Sequence, residues 1–586
     1  MNTNTTGPHS VLAVDIGSTQ TRVMFFDVVS GRYRFVGRGT SPTTSGAPFF
    51  DATEGIWRAI ENLQTYTERM FISKEGGLII PSTSDNEGVD IMVATMSAGP
   101  PLQTVIVGLL DDVSLKHAQH LAETTYSEIV SRISLNDQRT PSDRINLITS
   151  IRPDLIILTG GTNGGATRSI LTMLELVGLA SYLIEKNQKP QIIFAGNKDL
   201  QDEVKTSLEK ISKLHITANI LPLLGEEQLF PAQKTISEVY NQIRLQQTGG
   251  IRELLSWTNG HFTSSAAGLG RAIKFLSQKY EPEKGVLGVD LGSQNTVLAG
   301  GFSGEEVLKV YPHLGIGSGA RGILEESSLF DIQRWLAVPI TAQEIENYIF
   351  NKSVNPEIIP SEPDQLAIEH ALAKQAFSIA VQRSLPAFNL KAKNSGGKLL
   401  PPVEPIIGAG KVLTEAPSYL ESFNILLDGL QPTGVTTLAL DQNNMLSSLG
   451  AISERNPLLT VQIIESSTFL NLGTVIAPVG TARIGTPILR VTLSRADGRT
   501  STRDIKFGTI VPLPVETGEK VSLHLRPFHR FDIGMGGPGK SGKVNAVGGV
   551  LGVIIDARGR PLQFSSEMKK NVARNASWRK MLQKLG

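Results

Sequence analysis

The chain contains no cysteine, and this absence limits its chemistry. None of its 586 residues can form a disulfide, act as a thiol nucleophile or ligate an iron–sulfur cluster. An excess of one charge is missing too, because 56 Lys and Arg stand against 55 Asp and Glu, which gives no electrostatic basis for binding nucleic acid. No stretch is apolar for long enough to form a membrane helix, and the polar start MNTNTTGPHS does not resemble a signal peptide. We therefore expect a cytoplasmic protein with no membrane span and no nucleic-acid partner.

The stretch VLAVDIGSTQTRVMFFD, residues 11–27, predicts a strand, a turn of small residues and a second strand. The backbone N–H groups of such a turn can converge on an anion such as a phosphate. Asp15 would repel a phosphate, so the two share a site when a cation such as hydrated Mg²⁺ lies between them. The alternative for this stretch alone is a hairpin in which Asp15 and Ser18 only cap the turn.

A second copy of this pattern occurs in the middle of the chain. VLAVDIGSTQT (11–21) and VLGVDLGSQNT (286–296) are identical at seven of eleven positions. The identities include Asp15 with Asp290 and Gly17 with Gly292. Two such hairpins are what a two-lobed nucleotide clamp requires, because each lobe then supplies one phosphate-facing turn and one carboxylate directed at the metal.

A third motif, VEPIIGAGKVL (403–413), predicts a short strand that runs into Gly408 and Gly410. Without side chains, these glycines would let a nucleoside lie close to the backbone. A helical pattern follows from Tyr419 to Leu430. The alternative is a glycine-lined turn between a strand and a helix with no ligand.

The order DIGST, DLGS and IIGAGKVL resembles the phosphate-1, phosphate-2 and adenosine motifs of the actin, Hsp70 and sugar-kinase superfamily of ATPases. Longer blocks, among them LTGGTNGGATRSIL and LLDGLQPTGVTTLALDQNNMLSSLGAI, resemble the glutamate mutase accessory protein family MutL, which is unrelated to the mismatch-repair protein of that name. The resemblance covers nearly the whole chain. In its second motif the chain has DLGSQNTV where a DIGGATTD-like sequence is expected.

This resemblance implies an α/β fold: a two-lobed actin-like (ribonuclease H-like) ATPase core with an α/β insertion and a mainly β C-terminal domain. It implies ATP and Mg²⁺ as cofactors, and as partner an adenosylcobalamin-dependent mutase of the glutamate mutase type or its B12-binding subunit. Asp15 and Asp290 are the candidate catalytic residues, expected to hold Mg²⁺ through water and to orient the attacking water. The candidate nucleotide-binding residues are Gly17, Ser18, Thr19, Thr21, Gly292, Ser293, Thr296, Gly408 and Gly410.

The pattern along the chain predicts the following organisation. Strand, glycine-rich loop and helix alternate after Pro153, which is typical of a parallel sheet, and short β-branched runs dominate from about Leu458. The predicted intervals are a disordered tail (1–10), a first actin-like lobe (11–150), an α/β module inserted in or extending the first lobe (151–250), a second actin-like lobe with the phosphate-2 and adenosine motifs (251–457), a mainly β domain (458–566) and a basic C-terminal helix (567–586).

Three further segments leave their roles open. The loop TGGTNGGATRS between a predicted strand and helix has the context of a phosphate-binding loop but no P-loop lysine. GMGGPGKS, residues 534–541, has Walker A spacing, but a strand-like run follows Lys540 where a P-loop requires a helix. The basic tail fits either a terminal helix docked on its own domain or one that binds a membrane or an acidic partner.

The resemblance implies an ATPase that acts as an accessory or reactivating protein for an adenosylcobalamin-dependent mutase. Two alternative functions use the same nucleotide clamp. A small-molecule kinase would transfer the γ-phosphate to a hydroxyl group, and a scaffold or filament protein would bind nucleotide with little turnover. The related ATP-driven activators of radical dehydratases depend on cysteine-ligated iron–sulfur chemistry, so the lack of cysteine excludes that role.

Overall fold

The computed structural model describes residues 9–279, 284–392, 397–466 and 468–583. In these ranges the strands form four sheets. The strands are β1 (Val11–Ile16), β2 (Gln20–Val29), β3 (Arg32–Pro42), β4 (Ile91–Met96), β5 (Leu102–Val107), β6 (Ser127–Ile133), β7 (Leu155–Leu158), β8 (Gln191–Phe194), β9 (Leu214–Ile216), β10 (Phe262–Ser264), β11 (Gly285–Leu291), β12 (Asn295–Phe302), β13 (Glu305–Pro312), β14 (Val403–Ala409), β15 (Gly434–Leu440), β16 (Leu470–Ala477), β17 (Pro487–Arg495), β18 (Thr500–Lys506), β19 (Ile510–Leu513), β20 (Lys520–Pro527), β21 (Gly542–Val547) and β22 (Val553–Asp556).

The α-helices pack on these sheets and, with short loops, connect them. They are α1 (Ala52–Thr67), α2 (Lys116–Ala122), α3 (Pro141–Ile151), α4 (Arg168–Leu183), α5 (Gln201–Leu208), α6 (Phe230–Gln247), α7 (Ile251–Trp257), α8 (Ser265–Ser277), α9 (Ala320–Glu326), α10 (Leu329–Gln333), α11 (Ala342–Val354), α12 (Pro363–Lys391), α13 (Lys411–Thr414), α14 (Tyr419–Leu430), α15 (Leu446–Ile452), α16 (Pro457–Glu465) and α17 (Met568–Leu582).

The first sheet has the strand order β10-β4-β1-β2-β3. β2 runs antiparallel to its neighbours β1 and β3, while β1, β4 and β10 are parallel. The central strand β1 is buried on both faces, which is why its sequence VLAVDI is apolar throughout except for Asp15. This order and these directions are those of a ribonuclease H-like sheet.

The second sheet repeats this arrangement. Its first five strands have the order β13-β12-β11-β14-β15. β12 runs antiparallel to its neighbours β11 and β13, while β14 and β15 are parallel to β11. The sheet then continues through β16, β22 and β19. The predicted α/β fold with a two-lobed actin-like core is therefore confirmed by the topology, since each lobe contains one such sheet.

The third sheet is fully parallel, with the order β6-β5-β7-β8-β9. The parallel α/β module follows from the strand–loop–helix alternation, but the assignment of β5 and β6 to the first lobe (11–150) is wrong. β5 follows the Gly-Pro-Pro turn that ends β4, and it pairs with β7 of the module. Sequence periodicity alone does not show with which sheet a buried strand pairs.

The fourth sheet, β18-β17-β20-β21, is antiparallel and accounts for only part of the interval 458–566. β16, β22 and β19 of the same interval extend the second-lobe sheet instead. The first of the runs predicted as strands from about Leu458, LLTVQII (458–464), lies in helix α16 instead. Pro457 starts this helix, and its N-cap Asn456 accepts a hydrogen bond from the backbone N–H of Leu459.

The two chain ends differ from the expected tail and helix in detail. Residues 1–8 of the predicted tail and 584–586 of the predicted helix lie outside the described residues. Ser10, assigned to the tail, is buried and its backbone N–H donates to Asp90. α17 docks on the protein, where the indole N–H of Trp578 donates to the carbonyl of Gly508 at 3.0 Å. Among the described helices, none combines the length and apolarity needed to cross a bilayer.

Candidate functional site

Two hairpin turns with the same backbone geometry lie at the ends of β1 and β11. The backbone N–H of Gly17 donates to the carbonyl of Gln20 at 3.0 Å, and that of Gly292 donates to the carbonyl of Asn295 at 2.9 Å. The sequence repeat is therefore also a structural repeat. In both hairpins the acid is the penultimate residue of the first strand, so its side chain lies beside the turn.

Asp15 is almost fully buried and held by three donors. The hydroxyl groups of Thr95 and Ser265 each donate to its Oδ1 at 2.8 Å. The Nη1 of Arg22, directly across the β1–β2 hairpin, donates to Oδ2 at 3.0 Å. Strands β2 and β4 and the first turn of helix α8 therefore fix the orientation of this carboxylate.

Asp290 lies in the same electrostatic environment. Burial raises the pKa of its carboxyl group to about 6, the charge of Arg22 acts in the opposite direction, and the negative charges of Asp15 and Asp441 raise it further. Charges from both lobes thus act on one carboxyl group. The two predicted acids therefore lie near enough to each other to interact electrostatically.

Asp441 is a third acid at this place and was not predicted as a site residue. It follows β15, is completely buried, and accepts a hydrogen bond from the backbone N–H of Leu446 at 2.8 Å. Burial raises its pKa to about 6, against hydrogen bonds from backbone N–H groups and the charge of Arg22. Within the described part of the chain its Oδ1 has no hydrogen-bond partner. The sequence signal is TTLALD, a buried strand ending in an acid, as in VLAVD and VLGVD.

Two arginines of the first lobe supply positive charge here and were also missed. Arg22 and Arg38 are diagonal neighbours on the β2–β3 pair. Arg38 reaches the second lobe, where its Nη1 donates to the carbonyl of Gln442 at 3.3 Å. Burial and the charge of Arg22 lower the pKa of Arg38, while Glu415 and Asp441 raise it. Both arginines lie within strands, and nothing in a single sequence distinguishes them there from arginines without a function.

The small residues of the two turns differ in accessibility. Partly exposed positions, able to contact a ligand, are Gly17, Ser18, Thr19, Gly292 and Ser293. The prediction is wrong for Thr21 and Thr296, whose side chains are fully buried. The hydroxyl of Thr21 bonds to that of Thr43 at 3.0 Å, and the hydroxyl of Thr296 donates to the carbonyl of Leu314, so both stabilise their hairpins from inside.

A glycine-rich segment, GIGSG (315–319), covers part of the second turn. The backbone N–H groups of Gly317 and Gly319 donate to the carbonyl of Ser293 at 2.7 and 3.0 Å. The N–H of Ser318 donates to the hydroxyl of Ser293 at 3.4 Å. A Cβ on Gly317 would lie 2.0 Å from that hydroxyl, so a larger residue there would displace the side chain of Ser293.

The third motif positions a turn, and its two glycines have different roles from those predicted. A Cβ on Gly408 would lie 2.9 Å from side-chain atoms of Leu413 and Leu426, so this glycine packs under α13 and α14 and does not face a nucleoside, contrary to the prediction. Gly410 has φ +106, and a Cβ there would lie 2.2 Å from the carbonyl oxygen of Leu291. Gly410 therefore allows the β14–α13 turn to approach the end of β11.

Asn444 links this turn to the strand that carries the third acid. Its Oδ1 accepts from the backbone N–H of Gly410 at 2.6 Å, and its own N–H donates to the carbonyl of Asp441 at 3.0 Å. The loop after β15, the β14–α13 turn and the end of β11 are thus fixed relative to one another.

The Walker-like segment 534–541 is confirmed as a loop that leads into strand β21, with no helix after Lys540. In the TGGTNGG loop the backbone N–H of Gly164 donates to the carboxylate of Asp199 at 3.0 Å. The carboxylate of Asp199 is therefore bonded to a backbone N–H group that would be needed to bind a phosphate in this loop. Neither loop contributes to the group of Asp15, Asp290 and Asp441, which we call the carboxylate cluster.

The donor set fits a hydrated divalent cation. Asp15 and Asp441 both act electrostatically on Asp290, two of the three carboxyl groups have pKa values raised to about 6, and a buried Oδ1 of Asp441 has no partner within the described residues. The oxygens of the three groups do not all lie within 4.8 Å of one another, so a cation would be held partly through its water ligands. Hard cations such as Mg²⁺ prefer carboxylate and water oxygens, and a bound cation would offset the cost of burying these charges, which is the main cause of the two raised pKa values.

Comparisons with solved structures give weak likenesses. An acetone carboxylase in its nucleotide-free form is 13% identical with a TM-score of 0.32, covering 86% of this chain and 82% of that one. Component A of (R)-2-hydroxyglutaryl-CoA dehydratase from Acidaminococcus fermentans is 10% identical with a TM-score of 0.25, covering 78% and 99%. The ATP-dependent caprolactamase from Pseudomonas jessenii is 10% identical with a TM-score of 0.30, covering 84% and 81%. The fold assignment rests on the sheet topology.

A comparison with curated protein sequences finds no match. The model of the MutL protein family matches residues 11–468, which include both hairpins, the α/β module, the third motif and Asp441. This chain therefore belongs to the MutL protein family, the glutamate mutase accessory family and not the mismatch-repair one.

Proposed function

We propose that the chain binds Mg²⁺-ATP between its two lobes and hydrolyses it. The observation that carries this proposal is the placement of Asp15, Asp290 and Asp441, each at or just after the end of a buried strand, with two turns of partly exposed residues beside Asp15 and Asp290. Bound Mg²⁺ would supply electrostatic stabilisation of phosphate charge in this place.

In this proposal the residues of the chain have separate tasks. The three carboxyl groups hold the hydrated cation, and Asp290 also orients the attacking water. The backbone N–H groups and hydroxyls of Ser18, Thr19 and Ser293 donate to phosphate oxygens. Arg22 keeps Asp15 oriented through its 3.0 Å ion pair.

We further propose that the lobes move relative to each other during the ATP cycle. The first lobe comprises the first sheet, and the second lobe comprises the second sheet with its packed helices. Arg38 spans the two, because it lies on β3 and donates to the carbonyl of Gln442. ATP would favour a closed arrangement only as far as it binds that state more tightly than the open one.

The proposed client is an adenosylcobalamin-dependent mutase of the glutamate mutase type, or its B12-binding subunit, and the chain would act as its accessory or reactivating protein. Membership of the glutamate mutase accessory family supports this. A closed, ATP-bound form would present to the mutase a surface different from that of the nucleotide-free form.

The test uses the full chain, Mg²⁺-ATP and an inactivated cobalamin mutase. We expect slow hydrolysis by the chain alone, faster hydrolysis with the mutase, and a rise in Tm with Mg²⁺-ATP that corresponds to about 2.7 kcal/mol at a ligand concentration 100 times Kd. Asp441→Asn and Asp290→Asn should lose both hydrolysis and the rise in Tm. The matched control is Asp27→Asn, an acid on β2 that pairs with Arg69 at 2.8 Å outside the cluster.

Other outcomes would contradict parts of the proposal. Phosphate transferred to a small molecule would indicate a kinase, and ATP-dependent sedimentation with little turnover would indicate a filament or scaffold protein. Wild-type hydrolysis in Asp290→Asn and Asp441→Asn would place nucleotide chemistry outside this cluster.

A further inference from the structure

A compact group of two imidazoles and one carboxylate lies in the α/β module. Helix α2 carries His117 and His120, which share one face because they are three residues apart. Glu227 comes from the loop before α6. The Oε1 of Glu227 lies 2.5 Å from the Nδ1 of His117 and 2.6 Å from the Nδ1 of His120.

The three side chains are shielded but reachable. They are 18%, 25% and 20% exposed for His117, His120 and Glu227 respectively. The two rings are nearly perpendicular, with an interplanar angle of 88° and centroids 5.7 Å apart, so they do not stack. Both rings instead direct the same kind of nitrogen at one oxygen.

This convergence is typical of a metal site. One ligand atom from each of the three side chains can be chosen so that all lie within 4.8 Å of one another, close enough to share one ion. Without an ion, a single carboxylate oxygen has to accept from both rings, which requires a proton on each Nδ1. With an ion, neutral imidazoles and an ionised carboxylate are the ligands that zinc-like cations prefer.

The surroundings leave room for one more ligand. His117 lines a cavity of about 210 Å³ whose wall includes Gly160, Gly161 and Thr162 of the TGGTNGG loop. His120 and Glu227 line a second cavity of about 340 Å³. Three protein ligands beside open space are the arrangement of a site that keeps one position for water or a small donor.

We propose that His117, His120 and Glu227 bind one divalent transition-metal ion of the zinc class, with a further position open to water or a small oxygen or nitrogen donor. The metal would tie helix α2 to the loop before α6, next to the TGGTNGG loop. The site is separate from the carboxylate cluster, so this inference does not rest on the proposed function.

The experiment titrates the chelator-treated full chain with Zn²⁺ and, as a spectroscopic probe, with Co²⁺. We expect one ion per chain, visible Co²⁺ absorption that Zn²⁺ displaces, and tighter binding as pH rises, because the histidines must be neutral. His117→Ala, His120→Ala and Glu227→Gln should each weaken binding by more than the roughly 10–100-fold that the loss of an outer-shell partner costs.

The matched control is His215→Ala, in the same module, whose ring bonds to Gln191 at 2.8 Å and takes no part in the cluster. It should bind metal like the wild type. Glu227→Gln preserves side-chain volume, so Zn²⁺ should raise the Tm of the wild type and of His215→Ala but not that of Glu227→Gln. A wild type that binds less than one ion per chain, or ligand variants that bind as tightly as the wild type, would overturn the proposal.

Discussion

Replacement of Arg22 tests whether the carboxylate cluster depends on a buried ion pair. Arg22→Met keeps most of the side-chain volume and removes the charge that pairs with Asp15 at 3.0 Å. The two side chains are only 14% and 9% exposed, so solvent screens their interaction weakly. Removing one partner of a buried pair costs about 3–5 kcal/mol.

The structure favours the lower end of this range. Asp15 keeps the hydroxyl donors Thr95 and Ser265 on its Oδ1, and only Oδ2 loses its partner Arg22. We therefore expect Arg22→Met to lower the free energy of unfolding by about 3 kcal/mol, measured by urea denaturation without Mg²⁺ or nucleotide.

A double-mutant cycle separates the ion pair from packing. Asp15→Asn combined with Arg22→Met should cost less than the sum of the single variants, with a coupling of about 0.5–3 kcal/mol. The control cycle uses Arg490 and Asp504 of the fourth sheet, whose side chains are 45% and 41% exposed, and should give a much smaller coupling because solvent screens this ion pair. Additive costs at Arg22 and Asp15 would refute the reasoning.

Three further predictions concern other positions. Gly410→Ala should cost about 1–3 kcal/mol in urea denaturation and abolish the Mg²⁺-ATP-dependent rise in Tm, because φ is +106 and the new Cβ meets the backbone of Leu291; unchanged stability would contradict it. Gly408→Val should lower stability even without nucleotide, because the added side chain displaces packed leucines; a loss of ATP binding at wild-type stability would contradict this. Burial, with two nearby cations, lowers the pKa of His370 to about 4 from 6.5. As pH falls from 6.5 towards 4, the unfolded chain takes up a proton on His370 before the folded chain does, so the free energy of unfolding falls by about 3 kcal/mol in all. His370→Gln should lack this pH dependence.

The parts of the fold that were predictable are those encoded in short, repeated or capped segments. The two hairpins follow from a repeated eleven-residue pattern, and the start of helix α11 follows from Thr341 and Glu344, whose spacing is that of a capping box and which form one in the structure. The pairing of β5 with the third sheet was not predictable, because a buried strand has the same apolar pattern in any parallel sheet.

The site residues that could be predicted are likewise those that lie in a short, repeated pattern. Asp15 and Asp290 were found because each precedes a Gly-Ser turn, whereas Asp441 is followed by Gln-Asn-Asn and lacks that signal. Thr21 and Thr296 were misassigned because a repeated residue can be repeated for the stability of the hairpin as well as for a ligand. Glu227 is 107 or more residues from His117 and His120 in the sequence, so only the fold brings the carboxylate to the two histidines.

The two acids of the repeat are not equivalent, because the residues facing them across their hairpins differ. Asp15 faces Arg22, whereas Asp290 faces Val297. Asp15→Ala would therefore leave a nearly buried arginine without its carboxylate, and Asp290→Ala would leave no cation in that position. We expect both variants to lose ATP hydrolysis, but only Asp15→Ala to lose about 3 kcal/mol of stability in urea denaturation. Because burial raises the pKa of Asp290 to about 6, Asp290→Ala should be as stable as the wild type or more stable at neutral pH without Mg²⁺. Equal losses of stability in the two variants would contradict this reasoning. They would show that the ion pair with Arg22 does not make Asp15 more important for stability than Asp290, which faces Val297.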